Sequence, residues 1–364
     1  MSKDVNNGQS RREFLGRSVA ALAAASFLPS AFSCTGKSVA APAPVDTAAE
    51  AGKVNSKFGG VQIGTITYSW RSMPGGLENI IKYCQEANIS SIELMGGDLE
   101  AYLGAPENPM MKFFRQQAPQ PAAKPGEKPA VPRRMGPPKF TPEQQAEIDK
   151  YKEEVKAWRL GLDLSKVEGA RKLLSDAGIS VHIVKMQPSG MGSDEEVDYA
   201  FKVAKAMGAK AVTDEINLET AKRVAPFAEK HGMYMAFHNH MQYAEEGFSC
   251  DPILAVSPSI MLNFDAGHFF GSTGIHPNEM IKKYHDRIYS IHLKDKTGPT
   301  TGDQPNTNQV WGQGEMPLED VLLLIKQEKW PIYCDIELEY DIKPWSDSVK
   351  EVGTCVKYAR QILM

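Results

Sequence analysis

The sequence predicts a (β/α)8 TIM barrel with a long, Pro-rich insertion after the second strand. After residue 59, eight short runs of apolar and β-branched residues alternate with helical patterns, which is typical of parallel βα units. Several helical patterns are closed by Gly, the residue expected just past a helix end. No Gly-rich phosphate-binding motif follows the first strand, which disfavours the alternative, a doubly wound open sheet.

The predicted strands are short and mostly apolar, as the strands of a parallel sheet are. They span residues 61–67, 90–95, 179–186, 210–214, 233–238, 260–265, 288–293 and 332–337. Helical patterns with apolar residues three and four positions apart lie between them, at residues 77–87, 166–178, 195–208, 219–232 and 318–330. Eight such units fit one closed barrel in a chain of this length.

One connection is much longer than the others, because residues 97–164 follow the second strand before the third begins. Their middle part, residues 118–140, is too rich in Pro for a helix or a strand and predicts a loop. Thr141 as N-cap and Pro142 at the first helical position predict a helix over residues 141–161. A loop after a strand emerges at the catalytic face of a barrel. The insertion therefore either covers the site or is a surface excursion or partner contact.

The first 33 residues have the layout of a twin-arginine export signal. The pair Arg11-Arg12 precedes Phe-Leu and an Ala-rich apolar stretch, an arrangement typical of targeting segments. We therefore predict export to the periplasm. Cys34 leaves two alternatives, lipid attachment that anchors the protein to the membrane or simple cleavage nearby. Residues 34–58, rich in Ala, Pro, Ser and Thr, are predicted as a flexible linker, and residues 59–364 as the barrel.

The composition limits the function classes. The chain has 364 residues and a formal net charge of -4, so no basic surplus indicates binding to nucleic acid. Its five cysteines show no CxxC pattern and indicate neither a structural zinc site nor a disulfide framework. The predicted partner is a small-molecule carbohydrate, as the polar residues at the predicted strand ends indicate. The sequence leaves the oligomeric state open.

Ionisable residues cluster where the predicted strands end. In a closed barrel these ends converge on one mouth, so residues far apart in sequence meet there. Any single one of these residues could equally be a solvated group without a functional role. However, ionisable residues occur at the same place on seven strands. The residues are Glu93, His182, Lys185, Glu215, His238, His240, Asp265, His268, His292, Lys294, Glu337 and Glu339.

A set of carboxylates and imidazoles that converges on a pocket is suited to a divalent cation. We predict Asp265, His292 and Glu337 as the central ligands, with His238 or Glu215 as the fourth. The ion could be Mn2+, Mg2+, Zn2+ or Co2+, because their preferences for oxygen and nitrogen ligands overlap. Two carboxylates and one neutral imidazole leave such an ion able to polarise a carbonyl group, which suits sugar chemistry.

Four motifs lie on the last four predicted strands in order: FHNH (237–240), NFDAGH (263–268), SIHLKD (290–295) and DIELEY (335–340). With them, the chain from Val61 onward resembles the sugar phosphate isomerase/epimerase group of the xylose isomerase-like barrel superfamily. The resemblance implies that Asp265, His292 and Glu337, rather than Glu339, hold the metal.

The same resemblance implies that His268 and Lys294 lie near the substrate. The positions at the strand ends add further predicted substrate-binding residues: His182, Lys185, Asn239 and His240.

The predicted catalytic residues are Glu337, His238 and Glu93. In the resembling epimerases, the counterpart of Glu337 takes a proton from carbon, and a glutamate on strand five serves the opposite face of the sugar. This chain has His238 in that place. A returning proton would then have to come from His238, Glu215 or Glu93.

The sequence therefore predicts a divalent-metal-dependent isomerase or epimerase that enolises a sugar or sugar derivative next to its carbonyl. The alternative is a metal-dependent lyase or hydratase of keto-sugars, 3-keto-glycosides or inososes, which resemble this chain in their His-rich ends of strand five. A non-catalytic sugar-binding protein is more remote, because it would not need a metal set with paired acids. A nuclease of the related abasic-site group is disfavoured by the net charge and by export.

Overall fold

The computed structural model describes residues 53–110, 112–113 and 140–364. Within them, eight parallel strands close a barrel, because each strand pairs with the next and the first pairs with the last. The strands are β1 (Val61–Ile66), β2 (Ser91–Met95), β3 (Ser180–Lys185), β4 (Ala211–Glu215), β5 (Tyr234–His238), β6 (Ile260–Asp265), β7 (Ile288–Leu293) and β8 (Tyr333–Ile336). The predicted TIM barrel is confirmed.

The helices connect the strands and surround the barrel. They are α1 (Leu77–Ala87), α2 (Gly96–Tyr102), α3 (Pro142–Leu160), α4 (Ser165–Asp176), α5 (Asp194–Ala206), α6 (Leu218–His231), α7 (Asp251–Leu254), α8 (Ala266–Thr273), α9 (Pro277–Tyr284), α10 (Leu318–Glu328) and α11 (Ser348–Leu363). In the part of the chain that the structure describes, no helix combines the length and the apolar character needed to cross a membrane.

The predicted helix ends are present. The Thr141 side chain accepts a hydrogen bond from the backbone of Gln144, and the Gln144 side chain accepts one from the backbone of Thr141. This reciprocal cap starts α3, with Pro142 at its first position. Gly178 and Gly232 follow α4 and α6 with φ of 79° and 62°. Glycine adopts this left-handed conformation without the steric cost that a side chain brings.

Some sequence predictions lie outside the described residues. These are the export signal (1–33), the linker up to residue 52 and the insertion from residue 114 to 139. The last six linker residues, 53–58, are described and lie against the barrel rather than apart from it. Lys57 and Phe58 pair antiparallel with β1, and the buried Ser56 hydroxyl donates to the carbonyl of Ile63. The barrel unit therefore begins before residue 59.

The apolar core lies mainly between the strands and the helices, where Phe201, Phe237 and Phe264 are fully buried. A second, smaller cluster consists of strand residues alone: Ile183, Ala211, Ala236, Met261 and Tyr289, with Tyr333 packed against it. It fills one layer of the barrel interior, as side chains do in TIM barrels. The remaining interior positions towards the carboxyl ends of the strands carry polar groups.

The helix that returns from the insertion is held by a buried arginine. Arg159 near the end of α3 donates two hydrogen bonds to Glu100, at 2.8 and 3.0 Å, and one to Glu196 on α5 at 3.0 Å. The side chains of Arg159, Glu100 and Glu196 are only 15%, 9% and 5% exposed. Tyr199 also donates to Glu100. The charge cluster therefore joins the two ends of the insertion, α2 and α3, to the barrel helix α5.

Arg159→Ala should destabilise the protein strongly, because it leaves two buried carboxylates without their cation. We expect the free energy of unfolding to fall by about 3 kcal/mol, as measured by urea-induced unfolding. Lys172→Ala removes an exposed pair with Asp176 on α4 and should leave the stability nearly unchanged. Equal effects of the two variants would contradict a stabilising role for the Arg159 cluster.

Candidate metal centre and active site

Four ionisable side chains converge at the carboxyl ends of neighbouring strands. His238 ends β5, Asp265 ends β6, His292 lies near the end of β7, and Glu337 follows β8. Asp265 and His292 are register partners across β6 and β7. Each residue offers one ligand atom, and the four atoms lie within 4.8 Å of one another. None of the four side chains is more than 7% exposed.

The contacts among these four residues are direct. Glu337 Oε2 lies 2.8 Å from His292 Nδ1 and 3.8 Å from His238 Nε2. His238 Nε2 lies 3.3 Å from Asp265 Oδ2. Two carboxylates and two imidazoles therefore face one another at a position nearly inaccessible to solvent.

The donor set fits a divalent metal ion. Oxygen and imidazole nitrogen ligands in this number are those of protein-bound Zn2+, Mn2+ and related ions. His238 Nε2 is buried without a hydrogen bond, although a buried polar atom normally has a partner, and it faces Asp265 Oδ2 at 3.3 Å, an oxygen whose ion-pair partner is Lys294. An ion between the two atoms would bind both. His238, Asp265, His292 and Glu337 are thus the residues that would hold it.

Lys294 supplies the positive charge on one side of this cluster. Its ammonium lies 2.9 Å from Asp265 Oδ2, 2.8 Å from Glu337 Oε2 and 2.7 Å from Glu339 Oε2. The side chain is only 2% exposed. Burial would lower the pKa of Lys294, but the three carboxylates outweigh it and raise that pKa above its ordinary value. Lys294 is therefore a permanent cation beside the candidate metal centre.

The carboxylates are correspondingly held ionised. Burial would raise the pKa of Asp265 and of Glu337, but Lys294 and the neighbouring histidines lower both below their ordinary values. Burial opposes a charge on His238 as well. Contacts with Asp265, Glu215 and Glu337 outweigh it and raise the pKa of His238 to about 9.

Glu93, predicted as catalytic, lies behind His292 and is not one of the group of four. It is fully buried, and its Oε2 is 2.9 Å from His292 Nε2. Asn263 donates to the same oxygen at 2.7 Å. The carboxylate therefore orients the ring of His292, the role that a second carboxylate commonly has behind a metal-binding histidine.

Glu215, a predicted alternative fourth ligand, belongs to a neighbouring group with His238 and His240. Its Oε2 lies 3.4 Å from His238 Nδ1, the nitrogen that faces away from Asp265, and 3.1 Å from His240 Nδ1. Lys185 lies 3.1 Å from the other oxygen, Oε1. The Glu215 side chain is 37% exposed. The structure thus brings His238, and not Glu215, into the group of four.

Two further predicted substrate residues line the mouth. His268 on α8 lies 3.4 Å from Glu339 Oε2, and both of its ring nitrogens are buried without a hydrogen bond. Burial, aided by Lys294, lowers the pKa of His268 to about 3 although Asp265 opposes the shift, so the ring is neutral. His240 is half-exposed, and its ring lies 4.9 Å from that of His268.

Asn239 and His182 lie away from the barrel mouth where His240 and His268 are found. The Asn239 side chain accepts from the backbone N–H of Asp265 and donates to its carbonyl, at 2.9 and 3.2 Å, so it fixes the end of β6. His182 is buried one layer deeper. It contacts Asp335 Oδ2 at 2.8 Å and Ser91 at 2.9 Å and stacks on Tyr333. Neither residue reaches the group of four.

Sequence reasoning did not identify Asn263 and Asp335 as part of the site. Asp335 shares a face with Glu337 and Glu339 in a strand of alternating residues, and this alternation is the signal that could have identified it. Asp335 forms a buried group with Glu93 and His292 and also contacts Ser290. Asn263 carries no charge, and only the fold shows that it supports Glu93.

A closed barrel with a polar cluster at the carboxyl ends of its strands is the arrangement of TIM-barrel enzymes. Residues 148–357 match the model of the family described as "Xylose isomerase-like TIM barrel". The chain belongs to this family.

Curated relatives match over part of their length. An inosose dehydratase of Clostridium botulinum (strain Alaska E43) is 28% identical over 137 residues, which cover 33% of this chain and 45% of the relative. An inosose dehydratase of Clostridium perfringens (strain ATCC 13124) is 26% identical over 141 residues, 34% of this chain and 46% of the relative. The matched part of the chain thus spans less than half the length of these relatives.

Solved structures share the fold. The probable 3-DHS dehydratase AsbF from Bacillus anthracis superposes with a TM-score of 0.52 at 12% identity, covering 82% of this chain and 98% of that one. The IOLI protein, whose crystal structure contains a zinc atom, has a TM-score of 0.50 at 13% identity, covering 83% and 98%. At these identities the likeness concerns the fold.

Substitutions should distinguish the four ligands from the residues behind them. Asp265→Ala, His238→Ala and Glu337→Ala each remove a ligand, and we expect each purified variant to lose bound metal. Glu215→Gln weakens contacts with His238 Nδ1, His240 and Lys185 but removes none of the four ligands, so metal affinity should fall by no more than about 10- to 100-fold. Elemental analysis and chelator competition measure both quantities. Loss of metal from Glu215→Gln with retention in His238→Ala would reverse the assignment.

Proposed function

We propose that the chain is a divalent-metal-dependent enzyme that removes a proton next to the carbonyl of a sugar or sugar derivative. The observation that carries this proposal is the group of four buried ligand atoms within 4.8 Å at the barrel mouth. A divalent ion held there would polarise a substrate carbonyl and make the adjacent C–H bond acidic. The matches to inosose dehydratases and the zinc in the IOLI structure support this assignment.

Glu337 is the residue placed to take the proton. Among the described residues, its hydrogen bond and ion pairs all use Oε2, so Oε1 is left to accept a proton from carbon. Asp265 is less suited, because its Oδ1 already accepts a hydrogen bond from the backbone of His268 at 2.6 Å. The nearby Lys294 keeps Glu337 ionised until the substrate arrives.

The histidines favour elimination as the second half of the reaction. Once Glu337 has taken the proton, the C–H electron pair can form a carbon–carbon double bond as a hydroxyl on the next carbon leaves. That hydroxyl needs a proton, which an imidazole can supply. His240 is the imidazole suited to this step, because it is half-exposed at the mouth and lies 3.1 Å from Glu215 Oε2, whereas the neighbouring His268 is neutral. A dehydratase or related lyase acting on an inosose, keto-sugar or 3-keto-glycoside needs no second carboxylate base.

Epimerisation is the second candidate, because it shares the first proton transfer. It requires a group on the opposite face of the substrate to return a proton to the same carbon. His238 contacts both Asp265 and Glu337, and its raised pKa of about 9 favours the protonated ring that can return a proton. Its three carboxylate neighbours hold it in place for that role.

Reactions in D2O separate these activities. Metal-loaded protein incubated with an inosose, a 3-keto-glucoside and a ketohexose should give an unsaturated product with loss of water or of the glycosidic group. An epimerase would instead place deuterium at one carbon of both recovered substrate and product, as NMR and mass spectrometry would show. Glu337→Gln should slow either reaction by at least about 100-fold, whereas Glu219→Gln on the exposed side of α6 should not.

A third result would refute catalysis. If a metal-loaded sample binds one of these sugars but neither exchanges deuterium nor changes it, the chain is a sugar receptor. Metal content measured in the same Glu337→Gln sample distinguishes loss of the base from loss of the ion.

A further inference from the structure

Two lysines that follow β7 pack against helix α8 at positions where that helix has glycine. Lys294 packs over Gly267 and Lys296 over Gly271, two residues one turn apart on α8. A Cβ atom at Gly267 would collide with the Lys294 side chain. A Cβ atom at Gly271 would lie 2.7 Å from Lys296 Cε and would also collide with Asn306 Oδ1. The glycines therefore place both lysines and Asn306 close to the helix.

The two lysines differ in their partners. Lys294 contacts three carboxylates, whereas Lys296, only 3% exposed, forms no ion pair or side-chain hydrogen bond with any described residue. Burial and the charge of Lys294 lower the pKa of Lys296, and Asp265, Glu339 and Glu337 oppose that shift. The ammonium itself is not among the fully buried polar atoms that lack a partner, so it keeps access to solvent beside the cluster and is free to bind a ligand.

Asn306 is also incompletely satisfied. Its Oδ1 is buried without a hydrogen bond, although its Nδ2 contacts the sulfur of Met241. The residue has φ of 51°, a conformation that Asn adopts more easily than most residues. Beside the catalytic cluster there is therefore an unpaired donor at Lys296 and an unpaired acceptor at Asn306, both packed on Gly271.

We propose that Lys296 and Asn306 form a subsite for a hydroxyl group of an uncharged, polyhydroxylated substrate. The ammonium donates a hydrogen bond to the hydroxyl oxygen, and the hydroxyl donates its own hydrogen to Asn306 Oδ1. This inference rests on the proposed function, because it assigns a substrate class to the same site. Gly271 is the position that lets both groups reach one hydroxyl.

The charge balance explains why the ligand is uncharged. Six carboxylates belong to the site: Glu93, Glu215, Asp265, Asp335, Glu337 and Glu339. Three lysines accompany them: Lys185, Lys294 and Lys296. With neutral histidine ligands, a divalent ion brings this set close to neutrality and leaves no excess positive charge for a phosphate or carboxylate. A hydroxyl group needs one donor and one acceptor, which are the two groups present.

The test compares ligand binding with stability in metal-loaded protein. Lys296→Met removes a charge-assisted hydrogen bond, so affinity for an uncharged inosose or 3-keto-glucoside should fall by about 10- to 100-fold, measured by calorimetry. The same variant should unfold at an equal or higher temperature, because the Lys296 ammonium has no ion pair or side-chain hydrogen bond with a described residue to lose, and Met fills the mostly buried space of its stem. A lysine with a structural role would give a lower unfolding temperature. Asn306→Gly keeps the left-handed backbone and should also weaken binding.

Gly271→Ala and Gly169→Ala form a matched pair. Both glycines lie within helices, but a Cβ atom at Gly169 would meet nothing within 4 Å. Only Gly271→Ala should weaken sugar binding, and both variants should retain metal. The inference is supported if the Lys296, Asn306 and Gly271 variants lose affinity while metal content stays at the wild-type level.

The remaining outcomes overturn the inference in different ways. If wild-type protein binds an uncharged sugar and Lys296→Met binds it equally well, the subsite is rejected and the proposed function stands. If fructose 6-phosphate binds more tightly than the uncharged sugars and does so through Lys296, the uncharged class is rejected. If the metal-loaded wild-type protein binds none of these compounds, the proposed function fails together with the subsite.

Discussion

The burial of two carboxylates side by side governs the organisation of the barrel mouth. Asp265 and Glu337 are almost inaccessible to water, and an isolated buried carboxylate is strongly unfavourable. Lys294 on one side and His238 and His292 on the other supply the compensation at distances of 2.8 to 3.8 Å. A side chain at Gly267 would displace Lys294. The lack of a side chain at Gly267, just after β6, therefore allows Lys294 to neutralise the two carboxylates.

The same constraint extends through the barrel in layers. Glu93 fixes the far nitrogen of His292, and Asn263 fixes Glu93. Deeper still, Asp335 contacts His182 and Ser290. These contacts fix the orientation of the candidate ligands, as the residues behind a metal-binding group commonly do. The rim residues Glu215 and His240 are more exposed and complete the wall without joining the group of four.

The sequence predicts the fold well because each barrel strand is a short apolar run bounded by helices. It also predicts that polar residues meet at one mouth, since parallel strands all end there. It does not predict how deeply each residue lies. His182 and Glu93 occupy strand positions like those of the central residues, yet they are buried behind them. Depth depends on strand stagger and on local shifts in pairing, such as the one between Ile92 and Glu93.

The choice between His238 and Glu215 shows the same limit. The two residues are register partners on neighbouring strands, so sequence position alone gives each an equal chance of facing the centre. In the structure, His238 Nε2 contacts Asp265 and Glu337, whereas Glu215 contacts the other nitrogen of His238. The sequence does not single out Lys296 for another reason. What distinguishes this lysine is that it forms no ion pair with a described residue, and no sequence pattern reveals whether a lysine has such a partner.

Anomalous diffraction from crystals grown with Mn2+ or Zn2+ would locate a divalent ion at the barrel mouth. We expect one ion, held by the ends of strands β5, β6 and β7 and the residue after β8. A single strong anomalous peak should therefore be in contact with His238, Asp265, His292 and Glu337. A peak instead at the group of Glu215, His238 and His240, or at that of Glu93, His292 and Asp335, would contradict it.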